Sequence, residues 1–231
     1  MNILVIGAGG VGASMASIAE TRSFFTQFVL ADISLSRAEE AIALLDDRSK
    51  FVAEQVDARD MGAIKALIQK VKADVVVNAC DPRMNEPIFN AAFEAHCNYI
   101  DMAMNLSEPH ASNPYEEVGS PLGADQLAAD QAWRDRGLLA LVGMGVEPGL
   151  SDVFARYAAD NLFDTIDEIG VRDGSNLSID GLDFAPTFSI WTTIEECLNP
   201  PIVWEKNRGL YTTDCFSEPE VFHFPAGIGP Y

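Results

Sequence analysis

Positive charge is what this sequence has least of. Fifteen Lys and Arg stand against 35 Asp and Glu, for a net charge of −20. Such a surface repels phosphate backbones and anionic lipid heads, which counts against nucleic-acid and membrane-surface roles. Cysteine is sparse as well. Cys80, Cys97, Cys197 and Cys215 lie far apart, with no CxxC pair and no His/Cys ligand spacing. That excludes the usual zinc patterns and a disulfide framework, so no metal is expected and a reducing, cytoplasmic compartment is the simpler reading. Long apolar runs are missing too. The N-terminal one stops at Gly7 and has no basic flank, too short for a signal peptide or a membrane span.

What is present is an alternation of short aliphatic runs with amphipathic helical segments. NILVIG, FVLAD, KFVAEQVD, ADVVVNAC, NYIDMA and LLALVGMG read as six strands. Helices are read in the intervening segments, among them VGASMASIAETR, SRAEEAIALLDD, MGAIKALIQKVK, NEPIFNAAFEAHC and ADQLAADQAWRDRG. Apolar strands separated by helices imply an α/β fold, a doubly wound parallel sheet of the Rossmann type. The Pro-, Ser- and Gly-rich stretch after NYIDMA reads as a surface insertion or lid. Near residue 150 the pattern changes. A first domain is therefore expected over 1–148, and the start of an α+β substrate or dimerisation domain over 149–231. In the latter, LSDVFARYAADNLF and SIWTTIEECLNPP read as helices, TIDEIGVRDG as a strand and CFSEPEVFHFP as extended. The final GIGPY shows no closing strand or helix, and this domain reads as incomplete.

The junction of the first strand and first helix carries the chemistry. In VIGAGGVGAS the pattern G-x-G-x-x-G falls on Gly7, Gly9 and Gly12. Gly7 serves the turn out of the strand, Gly9 removes the Cβ that would block a pyrophosphate, and Gly12 lets helix and strand pack closely. Gly10 and Val11 open the helix, whose free N–H groups and positive dipole end suit phosphate. Asp32 closes the second strand 20 residues beyond Gly12, the placement of a carboxylate that accepts from ribose hydroxyls, with Ile33 beside it. A 2′-phosphate there would meet a negative charge, and no Arg follows before Arg37, so NAD is expected in preference to NADP. Asp57 and Ala58 end the third strand, where an adenine amino group can be met, although Asp57 reads equally as a turn acid. Asn78 and Ala79 end the fourth, beside the expected nicotinamide ribose. Asp101, at the end of the fifth, is the candidate for handling an amine proton, with a strand-end capping acid as the competing reading.

Other enzyme classes lack their signatures. None of Tyr99, Tyr115, Tyr157 or Tyr211 has Lys four residues on, as a short-chain dehydrogenase would require, and G-x-x-x-x-G-K-[ST] is absent.

Together, VIGAGGVG, VDARD, DVVVNAC, NYIDMA and above all GMGVEPGLSD resemble the saccharopine dehydrogenase-like family. FAPTFSIWTTIEECLNPPIVWEKNRG and SEPEVFHFP resemble the start of that family's substrate domain. The resemblance implies NAD(P)-dependent hydride transfer at a C–N bond of a lysine-derived amino acid, a small-molecule substrate. Saccharopine, lysine 6- and carboxynorspermidine dehydrogenases are the activities in view. A dinucleotide-holding fragment without turnover is the alternative of another class. An exposed substrate half-domain also favours pairing into a homodimer.

Overall fold

The structure, a computed structural model, describes residues 1–173, 178–182 and 190–230. The first six strands and six helices follow in the order β1 (Asn2–Ile6), α1 (Gly10–Glu20), β2 (Gln27–Asp32), α2 (Leu35–Ala43), β3 (Phe51–Gln55), α3 (Met61–Val71), β4 (Val75–Asn78), α4 (Asn85–Glu94), β5 (Asn98–Asp101), α5 (Ala124–Ala128), α6 (Asp130–Asp135) and β6 (Ala140–Leu141). Every strand pairs parallel to its neighbours in one sheet of order β3-β2-β1-β4-β5-β6. The chain reverses its direction of winding between β3 and β4, so the crevice opens where β1 and β4 part.

Alternation along the strands gives the sheet two buried faces. Ile3 and Val5 of β1 point to one side, with Phe28, Leu30, Ala16, Ala38 and Ile42. Leu4 and Ile6 point to the other, with Val29, Val76, Ile64, Ile88, Phe89, Tyr99 and Trp133. Helices on both faces remove the apolar strands from water, at roughly 25 cal/mol per Å² of apolar surface.

The chain divides into two compact units, Met1–Leu106 with Leu122–Leu150, and Ser107–Pro121 with Ser151–Tyr231. The second contains most of α7 (Leu150–Asn161), then α8 (Ile190–Leu198), the antiparallel hairpin β7 (Ile202–Glu205) and β8 (Gly209–Thr212), and the pair β9 (His223–Phe224) and β10 (Gly229–Pro230). The stretch after β5 belongs to it, closed on itself by Glu108 and Ser120, which exchange backbone hydrogen bonds of 2.9 and 2.8 Å. No described residue of this unit is buried.

The structure departs from the sequence reading in four places. No strand lies over 165–173; Ile166, Ile169 and Val171 do not alternate, and all three are exposed. Residue 174 of that expected strand lies outside the described residues. The single helix expected over 124–137 is two, meeting at Ala129. β6 is two residues long, because Gly143 turns the chain at φ 68° and its amide is taken by Asp101. Near the end, Gly229–Pro230 does pair, with His223–Phe224.

Candidate functional site

The glycine turn is built by close approach. Gly7 adopts φ 107°, and a Cβ on it would stand 2.7 Å from the carbonyl oxygen of Ala79. A Cβ on Gly12 would lie 1.8 Å from the carbonyl oxygen of Gly7, so only glycine lets α1 sit against the exit of β1. Gly9 and Gly10 are different. Beyond the adjoining residues and the backbone of α1 itself, no described atom lies within 4 Å of a Cβ placed on either, and both are exposed. Their bareness therefore serves no packing within the described protein.

The N-terminus of α1 is open in the same sense. Gly9 caps it without a side chain, the first turn has no acidic residue, and Val11 is about half exposed. Uncapped amides and the positive dipole end open beside two glycines that present no Cβ, which is the cradle that a dinucleotide's diphosphate requires. These residues fit that group.

Asp32 fastens this turn. Its side chain is only 7% exposed; one oxygen accepts from the Ala8 amide at 2.9 Å and the other from the Ser34 amide at 2.9 Å. Arg37, which the sequence places five residues on, comes within 3.5 Å of the carboxylate because α2 winds it back, although its own side chain is 59% exposed. Ile33 is exposed next to Asp32. Beyond it, Gln55 Nε2 donates to the Ile33 carbonyl at 2.9 Å.

At the exit of β3, Asp57 is gripped by Arg59, whose Nε and Nη2 donate to its two oxygens at 2.9 and 2.7 Å. The guanidinium holds the Asp57 carboxyl down at about 2. Ala58 beside it is half-buried against the core.

The exits of β4 and β5 are occupied by a buried polar network. Asn78 Oδ1 accepts from the Cys80 amide at 2.9 Å. Asn78 Nδ2 donates to Asn85 Oδ1 at 2.6 Å and to the Tyr99 hydroxyl at 3.4 Å. Asn85 Nδ2 donates to the Ala103 carbonyl at 2.6 Å. Asp101 is 1% exposed, and its oxygens accept from Gln126 Nε2 and from the Gly143 amide, each at 2.7 Å, with Tyr99 as a further hydrogen-bonding partner. Burial pushes the Asp101 carboxyl up, against those hydrogen bonds. Ala79 donates its amide to the Ile6 carbonyl at 2.8 Å. The Cys80 thiol, donating to the same carbonyl at 3.3 Å, is pushed up to about 12 by burial and is no nucleophile.

The fold thus gathers Gly7, Gly9, Gly10, Val11, Gly12 and Asp32 at one turn and sets Asn78, Ala79 and Asp101 along the same carboxyl edge of the sheet. Asn85, Gln126 and the reach of Arg37 are not legible in the sequence, because each depends on a contact made across a turn or between elements. Tyr99 has a signal: two residues before Asp101 on one strand, it shares that residue's face. Among the described residues no group of His, Cys, Asp and Glu is placed to hold a metal, and no helix is long and apolar enough to cross a membrane.

The family model described as the saccharopine dehydrogenase NADP binding domain matches residues 3–141. Carboxynorspermidine synthase of Vibrio cholerae is 32% identical over 97% of this chain and 55% of that protein. Carboxyaminopropylagmatine dehydrogenase of a Synechocystis species is 29% identical over 84% of this chain and 46% of that one. The chain thus spans about half the length of these relatives. Apo saccharopine dehydrogenase (L-Glu forming) from Saccharomyces cerevisiae shares the fold, with a TM-score of 0.53 over 70% of this chain and 31% of that one at 15% identity. By the match of residues 3–141, the chain belongs to the saccharopine dehydrogenase family and carries that family's dinucleotide-binding domain.

Proposed function

We propose that this chain supplies the dinucleotide-binding part of an oxidoreductase that transfers a hydride at a C–N bond of an amino-acid-derived amine, with NAD preferred over NADP. The observation that carries the reading is the open glycine turn, where Gly9 and Gly10 leave bare a surface that nothing described fills. When bound, the dinucleotide supplies or takes up the hydride. The chain's own residues bind and orient it: the α1 amides at the diphosphate, Asp32 at the adenosine ribose, and Asp57 near the base. The identities of 32% and 29% to a carboxynorspermidine synthase and a carboxyaminopropylagmatine dehydrogenase favour a carboxyalkyl-polyamine substrate over saccharopine or lysine. Four free thiols accord with a cytoplasmic setting.

The cofactor preference rests on a comparison of magnitudes. A 2′-phosphate about 4 Å from Asp32 costs roughly 1 kcal/mol in water and about 4 at an effective dielectric of 20. Asp32 cannot swing away, because two backbone amides hold it. Arg37 stands opposite that cost, but an exposed ion pair contributes only about 0–1 kcal/mol. The carboxylate wins.

Calorimetric titration of the chain with NADH and NADPH, beside Asp32→Asn, tests this. NADH is expected to bind about fivefold or more tighter, with the gap closing in the variant. Equal or tighter NADPH binding overturns the preference, and binding of neither overturns the dinucleotide reading. Incubation with carboxynorspermidine and the oxidised dinucleotide then separates enzyme from holder. Reduced dinucleotide appears if the chain is catalytic, whereas binding without turnover supports a non-catalytic fragment, the reading favoured by a second unit with no buried described residue.

A further inference from the structure

The described residues bury five polar or charged side chains: Asp32, Asn78, Asn85, Asp101 and Gln126. Asp32 holds the glycine turn. The other four are joined through Tyr99 into one network, and its outer bonds go to backbone. Asn78 holds the Cys80 amide, Asn85 the Ala103 carbonyl, Asp101 the Gly143 amide, and Gln126 Oε1 accepts from the Asn105 amide at 2.8 Å. These four backbone points are the segments leaving β4, β5 and β6. A buried carboxylate is costly, and a helix glutamine drawn inward to meet it is not needed to fill a core. Within a doubly wound sheet, the β2 and β3 exits serve the adenosine half of a dinucleotide, and the exits beyond the switch point serve the nicotinamide half.

We infer that Asp101 and Gln126 are positioning residues for the nicotinamide half of the crevice, acting through the segments they hold and touching neither cofactor nor substrate. This rests on the dinucleotide reading above. Asp101 accepts from several donors at once, and Gln126 donates to it with one end while accepting from Asn105 with the other. The pair has a direction, and reversing it predicts a rescue. Asp101→Asn leaves one acceptor oxygen where Gln126, Gly143 and Tyr99 converge. Gln126→Glu brings two carboxylates together. Combined, the new amide donates to the new carboxylate, which still accepts from Asn105, while the remaining amide oxygen accepts from Gly143. The bond between the two side chains is restored with its polarity exchanged, and the two backbone bonds keep theirs.

The test measures binding of NADH and of ADP, which keeps only the adenosine and diphosphate part. Wild type, Asp101→Asn, Gln126→Glu and the double variant are compared, with circular dichroism as the check on folding. Each single variant is expected to weaken NADH about tenfold and to leave ADP within about twofold, and the double variant to recover NADH to within about threefold. A merely structural role would weaken both ligands together and overturns the inference. So does a double variant no better than the singles. Singles that do not fold show that the pair serves the fold itself, and that outcome overturns the inference too. If wild type binds neither ligand, the dinucleotide reading itself has failed, and this inference falls with it.

Discussion

Gly9 and Gly12 share a motif yet have opposite jobs, and alanine separates them. At Gly12 the new Cβ would meet the Gly7 carbonyl at 1.8 Å, so helix and strand exit must part. Gly12→Ala is expected to cost about 3 kcal/mol or more in urea unfolding. At Gly9 the backbone is extended and the space empty, so Gly9→Ala costs at most about 1 kcal/mol, the N-cap difference, while NADH binding falls at least tenfold. Asp32 and Asp101 show the limit of what the sequence tells. Both close apolar strands, and both read as ligand-facing. The structure anchors Asp32 beside the open glycine turn, where a ribose can reach it, and encloses Asp101 among neutral donors, a difference made by Gln126 and Gly143, which lie 25 and 42 residues beyond Asp101. Because burial raises the Asp101 carboxyl in the folded state, its contribution to stability is fully present below the unfolded value of about 3.9 and is lost as pH rises through the higher folded value. Urea unfolding of wild type and Asp101→Asn should therefore show the wild-type advantage shrinking from pH 4 upward. An advantage that grows would reverse the sign of this shift.

Among elements, those with local signals matched their sequence patterns, and those depending on partners did not. β1, β2 and β4 carry contiguous apolar runs, and the glycine turn fixes where the first ends. The absent strand over 165–173 had aliphatics without a period, and β6 was cut short where the Gly143 amide donates to a distant carboxylate, Asp101. α3 shows how local its ends are. Asp60 accepts from the Ala63 amide at 2.9 Å as N-cap, and Lys72 closes the helix at φ 51°. Asp60→Ala should cost about 1 kcal/mol, and Lys72→Gly should add about 0.5–1, because glycine takes a left-handed cap without strain. α6 is anchored otherwise, by Trp133, 3% exposed and packed against Phe89, Phe93 and Tyr99. Trp133→Ala should cost about 3–5 kcal/mol, more than either cap, which a melting series on the three variants would order.

At the scale of the molecule, burial is divided unequally. The parallel sheet places β1, β2 and β4 almost wholly out of water, whereas no described residue of the second unit is buried. Large apolar side chains there are uncovered, among them Phe154, Phe163, Trp191, Trp204 and Phe216. Hydrogen bonds alone stabilise little in water, about 1 kcal/mol each, so helices and hairpins without a core open by local fluctuation. Amide hydrogen exchange should therefore split the chain. β1, β2 and β4 are expected to exchange slowest, near the global unfolding limit, and α7, α8 and the β7–β8 hairpin orders of magnitude faster. The net charge of −20 adds a second handle, since self-repulsion weakens as salt contracts the Debye length from about 30 Å at 0.01 M to about 3 Å at 1 M. Slow exchange throughout the second unit would show that its apolar faces are covered in solution. Repeating the measurement at tenfold dilution would then tell cover by a second copy, which dilution removes, from cover within the chain, which it does not.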